Sequence, residues 1–106
     1  MLFRSEDGIP EKAEGRFKIA EKIINEAAKY GIDKKDIIID PLTLTVSSEP
    51  SAPRETLRAV NMIHEKLHAH TVLGVSNVSF GLPERPTANT AFLTMAMHSE
   101  IGRAHV

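Results

Sequence analysis

The chain has 106 residues, a formal net charge of −1, 42% hydrophobic and 25% charged residues, the profile of one globular domain or part of one. Near-zero charge, mixed signs and only 5% aromatic residues leave no basic stripe and no stacking platform for nucleic acid. Without cysteine there is neither a disulfide framework nor a thiolate metal site, which points to the cytoplasm; no apolar run approaches the roughly 20 residues that span a membrane, and the N-terminal residues lack the apolar core of an export signal.

From Ala13 to Tyr30 the residues Ala13, Phe17, Ala20, Ile23, Ile24, Ala27 and Ala28 recur at steps of three and four, which predicts a helix with one buried face. Gly31 ends it, being free to take positive φ. Ile37, Ile38 and Ile39 form a β-branched run without polar alternation, expected for a strand covered on both faces in a parallel sheet. Asp40 stands at the end of that strand, and Pro41 forbids its simple continuation. Residues 42–46, LTLTV, fit either a further extension or an ordered loop. Ser47 to Pro53 reads as loop, with Ser51 as N-cap and Pro53 suited to the start of a helix whose apolar stripe is Leu57, Val60, Ile63 and Leu67. Thr71 to Val75 is the second strand, Gly81 to Pro86 a loop, and Thr87 to Met97 a third helix with Ala91, Phe92, Met95 and Ala96 inward. Met62, Met95 and Met97 read as packing residues. The order helix, strand, helix, strand, helix implies a parallel α/β unit with a right-handed crossover.

Parallel strands point the same way, so Asp40 and Asn77 emerge at one edge of the sheet, where α/β folds put ligands. A strand spacing of about 4.8 Å would bring both side chains within reach of one small heterocycle. Two strands and three helices neither close a barrel nor complete an open sheet, so a piece of a larger domain with bare strand edges is expected. Asp40 is either a turn carboxylate or, beyond a fully apolar strand, an acceptor of two hydrogen bonds from a flat amidine-like edge. Asn77 is either a turn former or an amide that can donate to, or accept from, a ring nitrogen. Gly74 is a weak spot in the strand that also lets a ligand approach the backbone. Arg85 is by default a solvated loop cation, and its place on the same rim makes it a candidate for an anionic ligand.

HEKLH, residues 64–68, is a literal H-E-x-x-H on an expected helix, the pattern in which two histidines bind zinc and the glutamate acts as base. No metal site is expected from it. Ile63 and Leu67 turn that helix toward the sheet, the strand ends are distant, and Thr71 and Gly74 stand where the extended motif has its glycine and third histidine. Histidines near a helix C-terminus are compatible with its dipole.

The two ends invite a separate reading. A common short-read sequencing adaptor translates as LFRS after its start codon, and its reverse complement reads IGRAHV in one frame. Residues 1–5 and 100–106 are therefore expected to be adaptor-derived, with native sequence over 6–99 and no functional meaning for Arg4, Arg103 or His105.

IIIDPLTLTVSS, followed some thirty residues later by TVLGVSNVSFGLPERP, resembles the pterin-binding (folate-binding) domain of cobalamin-dependent methionine synthase and related corrinoid methyltransferases. The likeness covers nearly all of residues 8–98, including GIPEKAEGRFKIAEKII and AFLTMAM. Dihydropteroate synthase shares the Asp-Pro after a strand, but its second motif resembles G-x-S-R-K-S-F, and this chain has Asn77-Val78 in place of the basic pair. The resemblance implies part of a TIM (β/α)8 barrel whose mouth holds 5-methyltetrahydrofolate and faces cobalamin or another corrinoid on a separate domain or protein. By motif, Asp40 would hold the pterin edge, Gly74 would permit its approach, Asn77 would bond the methyl-bearing nitrogen, Ser76 would support that loop, and Arg85 would lie near the folate tail or the corrinoid. The implied reaction is transfer of the methyl group to cob(I)alamin. A neutral tertiary amine leaves poorly, so an asparagine that bonds better to the charged ring nitrogen would lower the barrier. The remaining alternatives are a methyltransferase acting on a corrinoid/iron-sulfur protein and a non-catalytic pterin-binding module. The family's further pterin-binding aspartate and asparagine, on upstream strands, are not among these residues, so little activity is expected of the segment alone.

Overall fold

A computed structural model describes residues 12–99 and the backbone of residues 103–105. Residues 1–5, 100–102 and 106, on which the adaptor reading partly falls, lie outside the described residues. Helix α1 spans Ala13–Ala28, and its fully buried positions are Ala13, Arg16 and Ala20. Gly31, at φ 77°, reverses the chain. A one-turn 3-10 helix at Lys34–Asp36, with the Asp33 side chain accepting from the Lys35 N–H, then leads into strand β1, Ile38–Ile39. Helix α2 spans Ala52–Met62 and widens into a π turn at Ile63–Leu67, which ends at His68 in the left-handed region. Strand β2, His70–Gly74, runs directly into a 3-10 turn at Val75–Ser79. Helix α3, Arg85–His98, and strand β3, Arg103–His105, follow.

The sheet order is β1-β2-β3, all parallel. Ile38 lies opposite His70 and Ile39 opposite Thr71, so Asp40 comes level with Val72. Because side chains alternate along a strand, Ile39 and Leu73 face the helices while Ile38, Val72 and Gly74 share the other face. On the helix side the core forms two clusters. Ala20, Ile37, Ile39, Ile63 and Ala69 pack beneath α1. Val60, Leu73, Val75, Val78, Phe92 and Ala96 pack between α2, β2 and α3. Burial on this scale, at about 25 cal/mol per Å² of apolar surface, is what fixes the helices on one side of the sheet.

Several expectations from the sequence need correction. The isoleucine strand is covered on one face, since Ile37 and Ile39 are buried while Ile38 is 43% exposed. Of the two alternatives left open for residues 42–46 the loop is the one found, with Leu42 at φ 63°. Ser51 precedes α2 without capping it; its hydroxyl donates to Glu49 Oε1 at 3.0 Å. Of the four residues expected inward on α3, Phe92 and Ala96 are buried, whereas Ala91 and Met95 are exposed. Met95 and Met97 therefore do not pack in this fold: they are 49% and 65% exposed, because only one narrow stripe of α3 meets the core. A third strand extends the expected element order, and α3 starts two residues earlier, at Arg85.

Candidate functional site

The C-terminal edge of β1 and β2 is assembled from two irregular segments, the loop after Ile39 and the 3-10 turn after Gly74. Asp40 is half-buried, and its Oδ1 accepts the Leu42 N–H at 2.9 Å. This bond shapes the turn. It also leaves the carboxylate's other oxygen and further lone pairs for a ligand. Pro41 is fully buried behind it.

The two segments meet through Thr43. The Asn77 Nδ2 donates to the Thr43 carbonyl, the Thr45 hydroxyl donates to the Asn77 carbonyl at 3.3 Å, and the Val46 N–H donates to the Val78 carbonyl at 3.1 Å. A carbonyl can only accept, so the first bond fixes which end of the Asn77 amide is nitrogen. Its Oδ1 is then presented as an acceptor on an exposed side chain. The Thr43 hydroxyl, in the same loop, is buried without a hydrogen-bond partner among the described residues.

Gly74 has φ −84°, ordinary for any residue, and a Cβ built on it would meet nothing within 4 Å. Nothing in the packing of the described residues thus requires glycine there. Ser76 and Arg85 are brought together with it: the Arg85 Nη2 donates to the Ser76 carbonyl at 2.9 Å and to its hydroxyl at 3.0 Å. The Arg85 Nε donates to the Ser79 hydroxyl at 3.0 Å, and the guanidinium lies over the Phe80 ring at 5.9 Å. Ser79, fully buried, donates to Asn89 Oδ1 at 2.7 Å, and the Asn89 Nδ2 reaches Ser76 Oγ at 3.5 Å. Arg85 and Asn89 thus brace from α3 the turn that carries Asn77.

Two contributors escape a reading based on residue type alone. Asn89 has no local pattern to mark it. Arg16 does have one: it lies three residues after Ala13 and four before Ala20, inside the buried stripe of α1, and a charge at a core position is the informative kind of exception. Its Nη1 donates to the Thr56 hydroxyl at 2.9 Å and to the carbonyls of Leu42 and Pro41 at 3.2 and 3.3 Å. Burial lowers its pKa from the ordinary arginine value, while the charge of Glu55 acts the other way.

HEKLH falls on the π turn, with His68 at its left-handed end. Among the described residues no three His, Asp or Glu side chains gather as a metal group. A cleft of about 610 Å³ is lined by helix residues, among them Pro53, Leu57, Met62 and Met95, and includes none of the strand-edge residues.

These features define a segment of a parallel α/β protein with a candidate ligand site at the C-terminal strand edge. Its family follows from comparison with known proteins: the chain belongs to the pterin binding enzymes, whose pattern matches residues 5–105. It is 34% identical over 96 residues to the methionine synthase of Mycobacterium tuberculosis, a match covering 83% of this chain and 8% of that protein. To the methylcorrinoid:tetrahydrofolate methyltransferase of Eubacterium limosum it is 30% identical over 93 residues, covering 85% of this chain and 34% of the relative. The methionine synthase of Mycobacterium leprae is 33% identical over 96 residues, with 83% and 8% covered. The chain therefore spans about a third or less of the length of these relatives. No described helix is long and apolar enough to cross a membrane.

Proposed function

We propose that this segment forms part of a TIM barrel that binds 5-methyltetrahydrofolate and presents its methyl group to a corrinoid, in an enzyme of the cobalamin-dependent methionine synthase type. The observation that carries this reading is the Asn77 amide, whose Nδ2 is held by the Thr43 carbonyl, leaving Oδ1 as the acceptor of an exposed side chain at the strand edge that also bears Asp40. Asp40 would receive the N–H groups of the flat pterin edge. Gly74 would let the ring lie against the backbone, and Ser76 and Arg85 would hold the turn, with Arg85 also near the folate tail or the corrinoid.

The corrinoid, on another domain or protein, supplies a strongly nucleophilic reduced cobalt as methyl acceptor. For the C–N bond to break, the tertiary ring nitrogen would first take a proton from solvent; as the methyl leaves, the C–N electron pair stays on that nitrogen, which departs as a neutral N–H amine. Asn77 Oδ1 accepts a hydrogen bond from the protonated nitrogen more strongly than it interacts with the neutral one. That preference stabilises the reacting state over the ground state. By analogy with an oxyanion-hole donor, such a contact contributes about 2.7–4 kcal/mol.

Full-length protein carrying this segment tests the reading through transfer of labelled methyl from 5-methyltetrahydrofolate to cob(I)alamin. Asn77→Ala should lose turnover while retaining folate binding; unchanged turnover would remove the catalytic role. Folate binding without any transfer would instead favour a non-catalytic pterin module. Formation of methionine from homocysteine separates the methionine synthase type from an enzyme that methylates a corrinoid/iron-sulfur protein. The cytoplasm is the compartment that this chemistry fits. We also propose that residues 1–5 and 100–106 are adaptor-derived, although the family match reaches residue 105. Terminal codons that differ from the adaptor sequence would refute this.

A further inference from the structure

We infer that Arg16 is a positioning residue for the pterin site, its buried guanidinium holding the loop after β1 so that Asp40 and Asn77 address the same ring. The inference rests on the function proposed above. Leu42, between Asp40 and Thr43, is at φ 63°, a left-handed conformation that a leucine adopts only when its surroundings impose it. Those surroundings are visible on both sides of the residue. Its N–H is taken by Asp40 Oδ1 at 2.9 Å, and its carbonyl receives the Arg16 Nη1 at 3.2 Å and the Thr56 hydroxyl at 2.9 Å. Arg16 also holds the Pro41 carbonyl at 3.3 Å and is itself joined to Thr56 at 2.9 Å.

The clamp has two consequences for the site. Fixing the Leu42 peptide units fixes the Asp40 carboxylate, because the bond from the Leu42 N–H sets where Oδ1 points. It also fixes the next residue, Thr43, whose carbonyl orients the Asn77 amide. Arg16 sits at 0% exposure, so it is closed off from a ligand, and its effect on the site runs through the loop. An arginine in that place is costly to desolvate and needs its acceptors in place. The loop carbonyls and the Thr56 hydroxyl are among those acceptors.

The test uses full-length protein, with 5-methyltetrahydrofolate affinity and melting temperature measured for Arg16→Met, Arg16→Lys, Asp40→Asn and the Arg16→Met/Asp40→Asn pair. Arg16→Met should weaken folate binding on the order of tenfold to a hundredfold, the range seen when a supporting residue or a reacting geometry is disturbed. Arg16→Lys should restore part of it. In the Asp40→Asn background, Arg16→Met should add little to the loss of affinity, since Asn77, the other group that the clamp places, is assigned to turnover and not to folate binding. A merely structural arginine would lower the melting temperature with folate affinity unchanged, or give losses that multiply in the double variant, and either result overturns the inference. Should Arg16→Met fail to fold, Thr56→Val removes one of the two donors to Leu42 and carries the same comparison with Asp40→Asn. Unchanged affinity in Asp40→Asn would overturn the pterin reading, and this inference with it. Weakened Asp40→Asn beside normal Arg16→Met would overturn this inference alone.

Discussion

Two explanations compete for the glycine at position 74: weak strand design, or clearance for a ligand. The open space around it and its φ of −84° allow them to be separated. Gly74→Ala should leave stability unchanged or raise it by about 0.4–1 kcal/mol, as the unfolded chain loses freedom. If a pterin lies against the backbone, the same substitution should weaken folate binding; retained affinity in a stable variant would sink the clearance role. Ser79 makes the opposite prediction. Its fully buried hydroxyl joins Ser76, Arg85 and Asn89, so Ser79→Ala should cost about 1–3 kcal/mol in a denaturant titration. The placement of Asp40, Gly74 and Asn77 at the ends of β1 and β2 was legible because an unusual residue type at the end of an apolar strand is a local signal. Asn89 was not, because its partners lie ten and thirteen residues away in the chain and nothing on α3 marks it.

At the scale of elements, α1 is fastened to α2 by charge as well as by packing. Glu55 accepts the Ala13 N–H at 2.9 Å and pairs with Arg58, which also bonds Glu14. The Glu55 carboxyl is held below its ordinary pKa chiefly by the Ala13 N–H, against some burial, with further help from Arg58 and the charge of Lys12. Glu14 is lowered in the same direction, by a backbone hydrogen bond and then by Arg58. A carboxyl lowered on folding stabilises the fold above its unfolded pKa and loses that contribution as pH falls through its folded value. Stability should therefore be level near neutrality and decline once pH drops below about 4.3. Glu55→Gln should be less stable than wild type at pH 7, with the gap narrowing in acid melts; a gap independent of pH would refute the linkage. The helices were readable from their three- and four-residue periodicity. The loop at 42–46 was not, since its order comes from Val78, Asn77 and Arg16, all far away in the chain. The π turn at Ile63–Leu67 was also hidden, because the stripe that passes through it keeps an ordinary helical spacing.

Considered whole, the described chain has one well-packed side and one open side. Ile38 is 43% exposed and Val72 and Gly74 are half-exposed on the sheet face away from the helices, while the relatives are at least about three times longer than the matched region. The isolated 106-residue chain should therefore enhance the fluorescence of an apolar dye, and the full-length protein should do so much less per molecule. Equal enhancement would mean that the face stays open in both. The open ground above Gly74 also makes a spectroscopic handle. The sequence contains no cysteine, so Gly74→Cys would introduce its single thiol at a position where a side chain meets no neighbour within 4 Å. The rate at which a small alkylating reagent reaches that sulfur in the 106-residue chain would then report how open the strand end is, approaching the rate of a free thiol where nothing covers it.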